Sequence, residues 1–212
     1  MSRDLFASDA PQALAAATFM LAGFALARQD ILWRDIQAIL RRSPLRHMQT
    51  PGGFTMSVAM SNCGPLGWVS DRKGYRYSPI DPQTDQPWPA MPPAMQQLAT
   101  EAAALCEFEG FSPDACLINR YAPGTRMSLH QDKNEVDYSA PIVSVSLGVS
   151  AVFQLGGMQR SDKTSRISLQ HGDVLVWGGE DRLRFHGVLP IKPQQHPLTG
   201  EDRINLTFRK AG

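Results

Sequence analysis

Apolar residues recur over residues 28–42 at Ile31, Leu32, Ile36, Ile39 and Leu40, with charged positions between them. That spacing places them on one face of a helix. Ser43-Pro44 ends it, because a residue before proline avoids the helical region. A second helix is expected from Ala94 to Glu107, with Met95, Leu98, Ala102 and Leu105 along one face. Upstream, the uncharged run Ala13 to Ala27 is shorter than the ~20 residues that span a bilayer. A signal peptide would need a basic leader, yet Asp4 and Asp9 outnumber Arg3 and Pro11 precedes the run. The run therefore predicts a buried strand near Thr18–Phe24, followed by a helix.

Beyond residue 112 the period shortens. Ala115–Tyr121, Ile142–Leu147, Val152–Leu155, Arg166–Leu169, Val174–Trp177, Leu183–Val188 and Arg203–Arg209 read as strands. Pro123-Gly124, Gly156-Gly157, Gly172-Asp173 and Gly178-Gly179 supply turns between most of them. Short strands at this spacing predict a sandwich or barrel. Between Pro44 and Pro93, prolines and glycines interrupt short aromatic or apolar stretches, and the segment reads as hairpins and loops rather than core scaffold. The expected architecture is mainly β with flanking helices, one compact unit in three parts. Residues 1–42 pack a strand and helix on the core, 43–93 form the loop-rich insertion, and 94–212 form the β core.

The chain has 212 residues, with 21 Lys and Arg against 20 Asp and Glu. The balance excludes a disordered chain and argues against coating long nucleic acid through many phosphates. It leaves room for a short local contact. Cys63, Cys106 and Cys116 have no C-x-x-C spacing, so neither a disulfide framework nor a zinc knuckle is implied. Sparse cysteines suit a reducing cytoplasm.

His130-Gln131-Asp132 is the first sign of chemistry. On extended backbone, residues i and i+2 share a face about 6.6 Å apart, so one metal can bind both. His186, in the strand-like run LRFHGV, offers a third ligand. Two imidazoles and one carboxylate on one side of a metal suit non-haem Fe(II) and O₂ chemistry. His171-Gly172-Asp173 is a second H-x-D, but its Gly-Asp reads as a turn before VLVW, and His171 is assigned a structural role. Arg203-Ile204-Asn205-Leu206-Thr207-Phe208-Arg209 alternates strictly. Its polar face either meets solvent or, in a small barrel, points inward, where arginine needs an anion and grips carboxylate with a two-pronged fork. Asn119 and Tyr121 share a face with Leu117 in the same manner.

The stretches CLINRYAPGTRMSLHQDKNE, VSVSLGVSAVFQLGG, HGDVLVWGGEDRLRFHGV and RINLTFR resemble the AlkB family of Fe(II)/2-oxoglutarate dioxygenases. The stretch from Thr50 to Pro92 resembles the nucleotide-recognition lid of the family's bacterial members. The resemblance covers nearly the whole chain after residue 20. It implies a double-stranded β-helix (jelly-roll) and oxidative removal of alkyl groups from N1 of adenine and N3 of cytosine, preferentially in single-stranded DNA. It implies Fe(II), with 2-oxoglutarate and O₂ as cosubstrates. By position, His130, Asp132 and His186 resemble the iron ligands. Asn119, Tyr121, Arg203, Asn205 and Arg209 resemble the 2-oxoglutarate contacts, and Trp68, Tyr75, Tyr77, Asn134 and Arg160 the substrate contacts. The family's bacterial pattern HQDKDE stands here as HQDKNE, so Asn134 replaces an acidic residue near the base's exocyclic group.

The lid also has a physical rationale of its own. Phe54, Trp68, Tyr75, Tyr77 and Trp88 interleave with Arg46, Arg72, Lys73 and Arg76. Aromatic faces stack on splayed bases while cations meet phosphates. The competing reading is a small core over the barrel, and it suits Trp88, among prolines, better than Trp68. Rival functions are the same chemistry on RNA bases, a non-catalytic single-strand-binding module with a relic site, and a zinc hydrolase, which leaves the arginine strand unexplained. The expected protein is a cytoplasmic monomer that binds no membrane.

Overall fold

The computed structural model describes residues 10–212. Arg3, Asp4, Asp9 and the rest of the leader lie outside the described residues. In chain order the elements are β1 (Gln12–Ala15), β2 (Thr18–Leu21), α1 (Gln29–Arg42), β3 (Ala59–Cys63), β4 (Gly67–Asp71), β5 (Gly74–Ser78), β6 (Ile80–Asp81), β7 (Gln86–Pro87) and α2 (Pro93–Leu105). The core follows as β8 (Ala115–Tyr121), β9 (Met127–His130), β10 (Ile142–Gly148), β11 (Ala151–Leu155), β12 (Ser165–Leu169), β13 (Val174–Trp177), β14 (His186–Val188) and β15 (Arg203–Arg209). A seven-stranded sheet in the order β1-β2-β13-β10-β15-β8-β3 faces a four-stranded sheet, β12-β11-β14-β9. Every pairing is antiparallel. This is the jelly-roll that the resemblance implies, one of the sandwich or barrel arrangements read from the short strands.

The large sheet is buried on both faces. On its outer face, Ile118, Val143, Val145, Val174, Val176, Ile204, Leu206 and Phe208 pack against α1 and α2 through Leu32, Ile36, Ile39, Met95 and Leu98. Burying each such side chain contributes about 1.5–3 kcal/mol. On its inner face, Leu117, Tyr121, Leu175 and Trp177 meet Phe153, Leu155 and Val188 of the small sheet. Strand alternation then decides the fate of β15. Its apolar set faces the helices, and Arg203, Asn205, Thr207 and Arg209 are driven into the space between the sheets. All four are buried, at 1–6% exposure.

Several elements differ from expectation. The early strand begins at Thr18 but ends at Leu21, because Gly23 takes a left-handed φ of 66° and turns the chain. Leu105 closes α2 and is 48% exposed; Met95, Leu98, Ala99, Ala102 and Ala103 form its buried face. The strand expected over Leu183–Val188 starts only at His186, since a 3₁₀ turn over Gly179–Asp181 carries the chain around the corner. Within the loop-rich segment, β3 is core scaffold: fully buried, it pairs with β8 at the edge of the large sheet. Polar Ser61 and Asn62 disguise it, being satisfied by Ser43 O at 2.6 Å and by Trp68 O at 3.0 Å. The β4–β5 and β6–β7 hairpins are separate two-stranded ribbons.

Trp88 is core. Its ring lies where a Cβ on Gly67 would be, 2.3 Å from the ring, and its Nε1 donates to Ser78 O at 2.8 Å. Cys63, Cys106 and Cys116 are free and buried. Among the described residues, no helix is long and apolar enough to cross a membrane.

Candidate metal and cosubstrate site

His130 ends β9, Asp132 follows in the next loop, and His186 opens β14, paired directly opposite His130. The close approach of the two strands requires Gly187: a Cβ there would lie 2.7 Å from Met127 O and 3.2 Å from Leu129 N. One ligand atom from each of His130, Asp132 and His186 lies within 4.8 Å of the others. His130 Nε2 is 3.6 Å from Asp132 Oδ1, and His186 Nε2 is 3.8 Å from Asp132 Oδ2. Each Nδ1–H donates to a carbonyl two residues back, Ser128 O at 2.9 Å and Arg184 O at 3.0 Å. That leaves both Nε2 lone pairs turned toward the centre.

Electrostatics favour a cation. Burial, with His130 beside it, pulls the His186 imidazole down to about 4, so it is neutral and able to ligate. Burial alone would raise the Asp132 carboxyl, but Arg209 and the two imidazoles outweigh it and hold the group well below the usual carboxylate range. Two imidazole nitrogens and one fixed carboxylate on one side are the donor set that Fe(II) accepts while keeping positions open.

Behind this cluster lies a narrow cleft of about 50 Å³, lined by Asn119, Tyr121, Arg203, Asn205 and Arg209 together with the two histidines and Asp132. Arg203 donates from Nη2 to Ser146 Oγ at 2.9 Å, and its guanidinium lies 5.0 Å over the Tyr121 ring. Its Nε and Nη1, fully buried, have no hydrogen-bond partner, and neither has Asn119 Oδ1. Buried charged donors left unpaired are costly. A carboxylate of a small dicarboxylate in the cleft brings the acceptors that these buried donors lack. Asn205 is engaged with Ser144 Oγ at 2.8 Å and Val145 O at 3.0 Å. Arg209 grips Asp132 Oδ2 at 2.6 and 3.0 Å.

In front of the cluster opens a cavity of about 540 Å³, with Trp68, Tyr75, Asn134 and Arg160 on its walls and His130 and Asp132 at its base. Trp68 and Tyr75 stack, centroids 5.6 Å apart and planes at 15°. Arg160 spreads over the Phe185 ring at 5.0 Å and bonds Leu129 O. Tyr77 departs from expectation. It is not among the residues lining the cavity, and its hydroxyl donates to buried Glu135 Oε1 at 2.5 Å. Phe54 stands 77% exposed. His171 is occupied elsewhere: its Nδ1 accepts from Gly148 N–H at 3.0 Å and its Nε2–H donates to Gln29 Oε1 at 2.7 Å. Asp173 bonds Gly23 N at 2.8 Å and Gln170 N at 2.7 Å, closing a turn.

Sequence reasoning missed Glu135 and Arg182, a buried ion pair at 3.1 Å with side chains 2% and 3% exposed. They lie 47 residues apart, so no local spacing links them. Both stand in charged stretches, DKNEVD and GGEDR, that read as exposed loops, so the primary sequence carried no signal of their burial.

A model of the 2OG-Fe(II) oxygenase superfamily matches residues 18–209, and the donor set and cleft fit what that class binds. The chain is thus a dioxygenase that uses Fe(II), 2-oxoglutarate and O₂. Within the superfamily it belongs to the AlkB family: it is 57% identical over 211 residues to the alpha-ketoglutarate-dependent dioxygenase AlkB of Escherichia coli (strain K12), covering 99% of this chain and 98% of that one. It is 33% identical over 132 residues to the nucleic acid dioxygenase ALKBH1 of Mus musculus, covering 62% of this chain and 33% of that one. The solved structure of OsALKBH1 superposes with a TM-score of 0.81 at 30% identity, over 94% of this chain and 99% of that one.

Proposed function

We propose that the chain removes alkyl groups oxidatively from N1-alkyladenine and N3-alkylcytosine in single-stranded DNA, directly reversing alkylation damage, as a cytoplasmic monomer. The observation that carries this reading is the buried Arg203, whose Nε and Nη1 have no hydrogen-bond partner, beside a His130–Asp132–His186 cluster that opens into an aromatic-walled cavity. Bound Fe(II) with 2-oxoglutarate and O₂ supplies the oxidation: one oxygen atom enters succinate as CO₂ leaves, the other hydroxylates the N-alkyl carbon, and the hydroxyalkyl group departs as aldehyde.

His130, Asp132 and His186 hold the metal. Arg203 clamps one carboxylate of 2-oxoglutarate, with Tyr121 and Asn119 at its side. Asn205 and Arg209, which line the same cleft, complete the 2-oxoglutarate contacts, and Arg209 also steadies the Asp132 carboxylate. The segment over residues 43–93, apart from β3, serves as the nucleotide-recognition lid. Trp68 stacks on the extruded base opposite His130, Tyr75 and Arg160 line its path, and Tyr77 anchors the lid through Glu135. The apolar side chains of Phe153, Trp177 and Val188 wall the cosubstrate cleft. Base extrusion costs a few kcal/mol, least for a damaged or unpaired base, which itself favours lesions.

Mass-spectrometric turnover of alkylated DNA and RNA oligonucleotides with Fe(II), 2-oxoglutarate and O₂ tests this. Aldehyde and succinate in equal amounts from 1-methyladenine and 3-methylcytosine in DNA are expected. Turnover confined to RNA would move the substrate, and no metal-dependent absorption on anaerobic titration with Fe(II) and 2-oxoglutarate would mark a relic site.

A further inference from the structure

Asp132 lies in irregular chain between β9 and β10 rather than on a strand. Its geometry must be imposed from outside. Arg182 does this from the turn that leads to His186. It is 2% exposed and spends all three kinds of guanidinium nitrogen on that irregular loop. Nη1 donates to the backbone carbonyl of Asp132 at 2.8 Å, Nε to Ala140 O at 3.0 Å, and Nη2 to Glu135 Oε2 at 3.1 Å. One side chain thereby ties the beginning, middle and end of the loop to a single point. A second tie runs beside it: Gln131 Nε2 donates to Leu183 O at 2.6 Å.

Two neighbouring residues in the loop, 131 and 132, are therefore stitched to two neighbouring residues, 182 and 183, just ahead of His186. The stitch sets the separation between the carboxylate and the second imidazole independently of the β9–β14 pairing, which is irregular at this point. Glu135, fixed by Arg182, also accepts from Tyr77 on β5, so the lid hairpin is seated on the same brace.

We propose that Arg182, seconded by Gln131, is a positioning residue that presets the Asp132–His186 geometry for the metal. The proposal rests on the reading of His130, Asp132 and His186 as metal ligands. Residues that orient metal ligands typically change affinity 10–100-fold when altered. Lysine keeps the positive charge beside Glu135 but replaces a three-point fork with a single ammonium.

The test is calorimetric titration of the metal-free protein with Mn(II), a redox-stable probe of the same charge, alongside thermal melting of the metal-free protein. Arg182→Lys is expected to weaken Mn(II) binding by about tenfold or more while the metal-free protein, though it melts lower, still unfolds cooperatively. Wild-type Mn(II) affinity in Arg182→Lys overturns the proposal. If Arg182→Lys fails to fold, Gln131→Ala decides: several-fold weaker Mn(II) binding supports the brace, and unchanged binding overturns it. Asp132→Ala serves as the reference, since undiminished Mn(II) binding there would overturn the ligand assignment itself.

Discussion

Trp68 Nε1–H donates to Asn134 Oδ1 at 3.2 Å, joining the aromatic wall of the front cavity to the residue that stands in HQDKNE where the resembled motif HQDKDE has an acid. Indole N–H is donor-only, so the amide must offer its oxygen to it. The remaining amide group, Nδ2, can only donate, and Asn134 lines the cavity. A carboxylate at 134 would accept from Trp68 with one oxygen and keep the other for a base amino group. Asn134→Asp should therefore raise kcat/KM for 3-methylcytosine relative to 3-methylthymine. A charge-assisted hydrogen bond exceeds a neutral one by about 1 kcal/mol, a few-fold to tenfold in the ratio. Matched single-stranded oligonucleotides measure it, and a level or falling ratio would mean that Asn134 does not read the base.

Asp132→Ala removes the one carboxylate of the His130–Asp132–His186 cluster, and turnover should fall to background with the fold kept. His171→Ala should retain most of its turnover, because its hydrogen bonds go to Gly148 and Gln29. Single-turnover assays on both variants, with metal content determined, check the pair; an inactive, folded, metal-replete His171→Ala would contradict the assignment.

Arg203 and Arg209 should respond differently. If Arg203 holds the cosubstrate as proposed, Arg203→Lys replaces its planar set of donors with a single ammonium, and the KM for 2-oxoglutarate should rise by tenfold or more, from about 1.5–3 kcal/mol per charged hydrogen bond. Arg209→Lys should act through Asp132, which it holds at 2.6 Å, and weaken metal binding as well. Steady-state kinetics at varied 2-oxoglutarate and varied Fe(II) separate the two; an unchanged 2-oxoglutarate requirement in Arg203→Lys would leave its free N–H groups without a ligand.

Trp68→Ala should weaken binding of single-stranded oligonucleotide by about 1–3 kcal/mol through lost stacking. Decarboxylation of 2-oxoglutarate without substrate should persist, since that chemistry lies behind the cluster. Fluorescence anisotropy and succinate release test this; loss of the fold instead would make Trp68 core, as Trp88 is.

Asp81, 1% exposed, bonds Ser43 Oγ at 2.7 Å and Arg46 Nη2 at 2.8 Å. Burial alone would raise its carboxyl, but Arg46 and Ser43 outweigh that and hold it below the usual value. Its contribution to stability is thus present above the unfolded value near 3.9 and is lost as pH falls through the lower folded value. Asp81→Asn should cost about 1.5–3 kcal/mol at pH 7, with the gap to wild type closing in acid. Urea denaturation across pH measures it; a gap that stays constant would show that the charge contributes nothing.

Periodicity alone carried the two helices, most core strands and the alternation of β15, because these depend on side-chain spacing along one element. The spacing His130-x-Asp132 and the later His186 were legible as a metal set, since chelation demands particular residue types. Whether the polar face of β15 met water or ligand was not legible. Residues 203–209 read the same in either case, and the choice fell to the small sheet that covers them. β3 was hidden for the same reason in reverse: Ser61 and Asn62 look exposed until Ser43 and Trp68 satisfy them. Tyr77 read as a substrate contact, and only its meeting with Glu135 turned it into an anchor. The Arg182–Glu135 pair and the stitch to Asp132 join residues about fifty positions apart. Such contacts carry no local pattern, because burial of a charge is decided by what folds around it, and that is settled only when the two sheets close.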